Sequence, residues 1–190
     1  MELRKASTMK TTMVQRLIGY SHVHRSTLYR VVSFSIAICV FMVLIPIVYV
    51  WIGRLIGRWL IIPCPRNIEL ILAGISGMIG LWVIMWTVWV QWIVGRGGPV
   101  PVAPTRKLIT TGPYALCRNP MHFGALLYVF TFGLIFGNLV IALICIALET
   151  TIIVVYLKGI EEKELVIRFG AEYQRYKETT SFLIPRFWKR

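Results

Sequence analysis

The sequence contains no aspartate. All eight acidic residues are glutamates, set against 21 lysines and arginines, for a formal charge of +13 over 190 residues. It also lacks the glycine-rich phosphate cradles. There is no GxGxxG and no GxxxxGK[ST], which excludes a Rossmann or P-loop nucleotide site. The four cysteines, Cys39, Cys64, Cys117 and Cys145, form no CxxC and no Cys/His spacing, so no metal site is expected. They read as small apolar fillers or loop thiols. Charge itself is missing from long stretches: Val31 to Ile52 is 22 residues without one, and Leu70 to Val94 is 25. The first 30 residues are polar and basic, and the first apolar run is too long for the core of a secretory leader, so no leader is expected.

What is present is apolar. Hydrophobic residues make up 57% of the chain and the mean hydropathy is +0.70, too high for a soluble globule. About 20 apolar residues cross a bilayer as a helix. The expected fold is therefore an all-α integral membrane protein of about four transmembrane helices, at 31–52, 68–94, 122–136 and 139–157. Gly137 and Asn138 would turn the last two into a tight hairpin. Three parts are expected: a basic N-terminal segment, 1–30, lying along the membrane surface as an amphipathic helix; two spans, 31–94; and a core, 95–190. That core holds a Gly/Pro loop, the hairpin and a helical C-terminal segment in which Leu165, Phe169, Tyr173 and Tyr176 recur at helical steps. Gly74, Gly77 and Gly80 would admit a close helix neighbour. Oligomeric state is left open.

The high charge does not point to nucleic acid, because the basic residues are scattered between spans rather than gathered on a soluble module. They order the topology instead. Six lie in 1–30, four in 95–121 and eight in 158–190, against three in 53–67. The positive-inside rule then puts both termini and the Gly/Pro loop in the cytoplasm.

Two segments carry polar chemistry on that side. One is "PTRKLITTGPYALCRNPMHFG", with Arg106 and Lys107 as anion binders and Tyr114 as an aromatic face. The other is "KGIEEKELVIRFG", whose Glu161 and Glu162 are costly near a membrane and a helix end unless they meet a cation. Glu149, inside the fourth span, is an interior ion-pair or cavity residue.

These two segments, in this order and at this spacing, resemble the isoprenylcysteine carboxyl methyltransferase family, which is grouped with the phospholipid N-methyltransferases. The shared pattern is a Gly/Pro loop, then LV..GPY..VRHPMY.G, two spans, and EE..L...FG..Y..Y......P, covering about residues 95–186. The resemblance implies an S-adenosylmethionine-dependent membrane enzyme whose C-terminal segment closes the cofactor pocket. Carried over by position, the cofactor would meet Arg106, Lys107, Leu108, Ile109, Tyr114, Asn119, Pro120, Met121, His122 and Glu161. Asn119 stands where the family usually has His, and His122 where it has Tyr. Catalytic roles are expected of Arg118, which would hold a carboxylate acceptor, and Glu162, which would take a proton from an amine acceptor. Lys158 and Glu149 are the expected acceptor-binding residues. The acceptor itself would be a lipid or prenylated small molecule arriving from the bilayer. Two alternatives remain: a sterol-reductase-like membrane reductase and a non-catalytic helical membrane subunit.

Overall fold

The computed structural model describes residue 32 and residues 35–60, 62–95, 105 and 107–187. The 1–30 segment, most of the Gly/Pro loop and Arg106 lie outside the described residues. Every regular element described is helical. Helix α1 covers Ser35–Gly57, with a π-helical turn at Val40–Leu44. Helix α2 is Arg66–Ile93, and α3 is one turn, Pro113–Leu116. Helix α4 is Pro120–Phe136 and α5 is Leu139–Tyr156. A π-helical turn, Leu157–Glu161, leads into α6, Glu162–Thr179.

Three of these helical stretches are long and apolar enough to cross a membrane: Ser35–Gly57, Arg66–Ile93 and the one that begins at Leu139. Helix α4, the third expected span, is a shorter apolar helix of 17 residues. Helix α1 continues five residues past the expected end at 52, because Arg54 need not leave the helix to find a partner: its guanidinium donates to the Phe136 carbonyl. Helix α2 starts right after Pro65, which cannot extend a helix backwards.

Lipid tails are as apolar as leucine, so apolar burial does not draw these helices together. Close backbone approach and polar links do. A Cβ at Gly80 would come within 2.8 Å of the Gly124 carbonyl oxygen, and one at Gly124 within 2.8 Å of the Gly80 carbonyl. Thus α2 and α4 cross backbone against backbone. One turn away, Ser76 Oγ and Thr131 Oγ1 share a buried hydrogen bond of 2.8 Å. Gly133 makes the same kind of approach to α5, where an added Cβ would meet Ala142 Cα at 2.4 Å.

The α4–α5 turn is held by α2. Helix ends leave carbonyls and N–H groups unpaired, and α2 supplies both missing partners. Arg66 donates to the carbonyls of Leu134 and Ile135, each at 2.7 Å. Glu69 pairs with Arg66 at 3.0 Å and accepts from the Leu139 N–H at 2.8 Å. Asn138 Oδ1 caps α5 by accepting from the Ile141 N–H. Glu69 is 4% exposed, so Glu69→Ala strands a buried N–H and a cation at once. It is expected to cost about 2 kcal/mol, read as a lower unfolding temperature in detergent. Glu69→Gln keeps the acceptor for Leu139 and loses roughly half as much.

This turn marks one end of the bundle. The opposite end gathers Gln91, the 112–122 segment, the π-helical turn and α6.

Candidate functional site

The threshold of α4 is built from backbone that only certain residues allow. Gly112 has φ 61° and ψ −132°, left-handed space that suits glycine. Pro113 then opens the single turn of α3, and Asn119 and Pro120 open α4. Gly112 and Pro113 thus make the turn that opens the threshold.

The tail returns to this threshold by folding back. Gly170, at φ 52° and ψ −127°, breaks α6. In a straight helix residues 162 and 177 would lie about 22 Å apart. Here Lys177 Nζ is 2.7 Å from Glu162 Oε2. The stripe expected as one continuous helix is therefore two short helices, and the second turns Tyr173 and Tyr176 inward, 2% and 8% exposed. Tyr176 Oη donates to the Tyr114 carbonyl at 2.7 Å.

Residues 181–186 then fasten along the threshold. The Arg118 N–H donates to the Ser181 carbonyl at 2.8 Å, and the Arg186 N–H to the Leu116 carbonyl at 3.0 Å. Asn119 Nδ2 donates to the Phe182 carbonyl at 2.8 Å. The Asn119 amide is thus used in holding the tail.

At the centre sits an ion pair between the two motifs. Arg118 Nη1 lies 3.1 Å from Glu162 Oε1, with side chains 9% and 12% exposed. The contact has the distance of an ion pair but not hydrogen-bond alignment, and Arg118 Nε and Nη1 are buried without a hydrogen-bond partner. Phe182 lies between two cations: Arg118 Cζ at 5.5 Å from its ring centre and Lys158 Nζ at 5.4 Å. Burial, with Glu162 nearby, pushes the Tyr173 phenol up to about 12 despite the Arg118 charge.

Glu161 differs from its neighbours. Glu162 is bound by Arg118 and Lys177, and Glu164 by Arg168 at 3.1 Å. Glu161 is partly buried and has no hydrogen bond or ion pair among the described residues. Burial, together with the charges of Glu164 and Glu162, raises it to about 7. Its charge in turn helps raise the buried Tyr114 phenol. Among the described residues, a carboxylate so placed lacks a cation. The π-helical turn that ends at Glu161 is a form common at functional sites.

The expected residues divide as follows. Arg118, Glu161, Glu162, Lys158, Tyr114 and Asn119 converge. Pro120, Met121 and His122 form the first turn of α4 beside them. Lys107 is exposed and Leu108 partly buried. Ile109 is buried, 5% exposed, and packs at Gly95 past the end of α2. Glu149 does not join the group. It faces the Tyr49 hydroxyl of α1, about 18 Å along the helix from Glu161.

Lys177, Phe182 and Gln91 were missed from sequence. Gln91 Nε2 donates to Tyr114 Oη at 2.5 Å, and its Oε1 is buried without a partner. An amide inside an apolar run is itself a signal, since such groups are expensive in a membrane. Cys117, 0% exposed, is pushed up to about 11 by burial and is an inert filler.

The family described as "Phospholipid methyltransferase" has a sequence model that matches residues 68–172. This reaches from the start of α2 into α6, across the threshold, the hairpin and the Glu161–Glu162 pair. No curated protein and no solved structure gives a match.

Proposed function

The chain belongs to the phospholipid methyltransferase family, and from that premise we propose that it transfers methyl groups from S-adenosylmethionine to a lipid acceptor drawn from the bilayer. The observation that carries this reading is Glu161, a partly buried carboxylate with no cation partner among the described residues, whose charge bears on Tyr114 and which adjoins Glu162, the partner of Arg118. The cofactor's amino-acid end is a zwitterion and its sulfonium is a second cation, so the residues fit it. Glu161 would hold the ammonium. The first-turn N–H groups of α4 and Lys107 are the available anion partners, with Arg106 as a further one by sequence. Aromatic faces such as Tyr114 suit a sulfonium. The group supplies an activated methyl on sulfur.

The chain's own contribution is positioning and exclusion of water. Glu162, expected as a proton acceptor, is instead held between Arg118 and Lys177, and we assign it to fixing Arg118. With Glu161 given to the cofactor and Glu164 bound by Arg168, none of the three clustered carboxylates, Glu161, Glu162 and Glu164, is left to deprotonate an amine. An acceptor carboxylate needs no such base, and Arg118 and Lys158 offer it cations. The site geometry therefore favours O-methylation of a lipid carboxylate, such as that of a prenylcysteine-like molecule. The family description favours N-methylation of a phospholipid headgroup as the second reading. The positive-inside count supports four spans, with the site and both termini on the cytoplasmic side.

The test uses purified protein in vesicles of its host's lipids and S-adenosylmethionine labelled in the methyl group. Label is expected in the organic extract and is lost in Glu161→Ala. Release of that label by mild base identifies an ester, and resistance identifies an N-methyl product. Cofactor binding with no labelled lipid from any host fraction sinks the lipid acceptor.

A further inference from the structure

The segment that closes the site has a second, outward face. Leu183 is buried at 9% exposure, whereas Ile184 and Phe187 are 73% and 75% exposed. They are not loose ends. Ser181, Phe182 and Arg186 are tied through their backbones to Leu116, Arg118 and Asn119, and Ser181 Oγ also bonds the Leu116 carbonyl at 3.1 Å. Those anchor residues immediately precede Pro120, the first residue of α4. Ile184 and Phe187 are thus fastened beside the point where the chain turns into the apolar bundle. The charge beside them in sequence has one sign: Arg186 is exposed, Lys189 and Arg190 follow, and 184–190 contains no acid.

We propose that Ile184, Phe187 and Arg186 form a membrane-surface anchor that seats on anionic phospholipid headgroups of the leaflet at the site end. Apolar side chains sink into the headgroup–acyl boundary while neighbouring cations hold lipid phosphates. Each Lys or Arg near an anionic surface strengthens such contact about fivefold, within a Debye length. The segment covers Arg118 and Asn119, so lipid charge bears on the closure of the site. The anchor does not depend on the methyl-transfer reading, and its test needs no turnover.

The full chain carries Ile184→Cys labelled with an environment-sensitive fluorophore, with Cys39 and Cys64 replaced by alanine. It is placed in phosphatidylcholine vesicles with or without phosphatidylglycerol, each doped with nitroxide-bearing lipid. Quenching is expected to be at least about threefold stronger with the anionic lipid, and Arg186→Glu is expected to abolish the difference. Weak quenching in both vesicles overturns the anchor, and equally strong quenching in both overturns its dependence on headgroup charge. Phe187→Cys, labelled in the same way, gives the same reading should the first variant not fold.

Discussion

Glu161→Gln is expected to do two opposite things: stabilise the ligand-free protein above neutral pH and weaken its hold on S-adenosylmethionine. The folded protein holds Glu161 at about 7, against an ordinary 4.5. Below the ordinary value the carboxyl is neutral in folded and unfolded chains, and no penalty arises. Between the two values the folded chain binds the extra proton, so stability falls as pH rises. Above about 7 the loss is complete. For this partly exposed group it amounts to about 1–2 kcal/mol after discounting for solvent. Unfolding temperature in detergent should therefore drop from pH 5 to about pH 8 in the wild type and change less in Glu161→Gln. Binding runs the other way. A ligand ammonium needs the carboxylate, so affinity should fall about tenfold per pH unit below 7. Glu161→Gln should bind about 10- to 100-fold more weakly at pH 8, with no such slope. Titration of the cofactor at several pH values checks this, and a slope that persists in the variant assigns the proton to another group.

Gly170→Ala should all but abolish activity without emptying the membrane of protein. No atom lies within 4 Å of where its Cβ would sit, so crowding is not the problem. The cost is the backbone, because φ 52° with ψ −127° belongs to glycine, and any other residue there is strained by about 1–3 kcal/mol. A chain that relieves the strain by straightening α6 moves Lys177 off Glu162 and Tyr176 off the Tyr114 carbonyl, uncovering Arg118. The expected outcome is normal insertion, at least a tenfold loss of turnover, and easier proteolysis after residue 170. Gly159→Ala is the control. It too has open space around it, lacks the positive φ, and should be neutral or slightly stabilising. Equal effects at the two positions would remove the special role of Gly170.

That glycine also shows where sequence reading stops. Spans are legible because hydropathy acts residue by residue: α2 was expected at 68–94 and runs Arg66–Ile93, and the hairpin turns at Gly137 and Asn138 as its residues dictate. The convergence of Arg118 with Glu162 was legible through motif order. The fold-back was not. A glycine inside a helical pattern costs only about 1 kcal/mol, so "RFGAEYQRY" reads as unbroken helix. The break follows from partners brought by the tertiary fold, Glu162 for Lys177 and Tyr114 for Tyr176. Arg66 and Glu69 were hidden for the same reason. Three residues apart on one helix, they look like a local surface pair, and their caps on α4 and α5 lie about 70 positions away. Glu161 and Glu162 look alike in the string "EEKE", and among the described residues only the cations that reach Glu162 tell them apart.

The tail bonds at Leu116, Arg118 and Asn119 have a consequence for how the enzyme is made. Those three residues leave the ribosome before α4, whereas Ser181, Phe182 and Arg186 emerge only after both helices of the hairpin have been synthesised. A released chain that stopped near residue 180 would have its spans in the lipid and its threshold still bare. Insertion and competence are therefore separate events in biosynthesis, with the second waiting on residues 181–186.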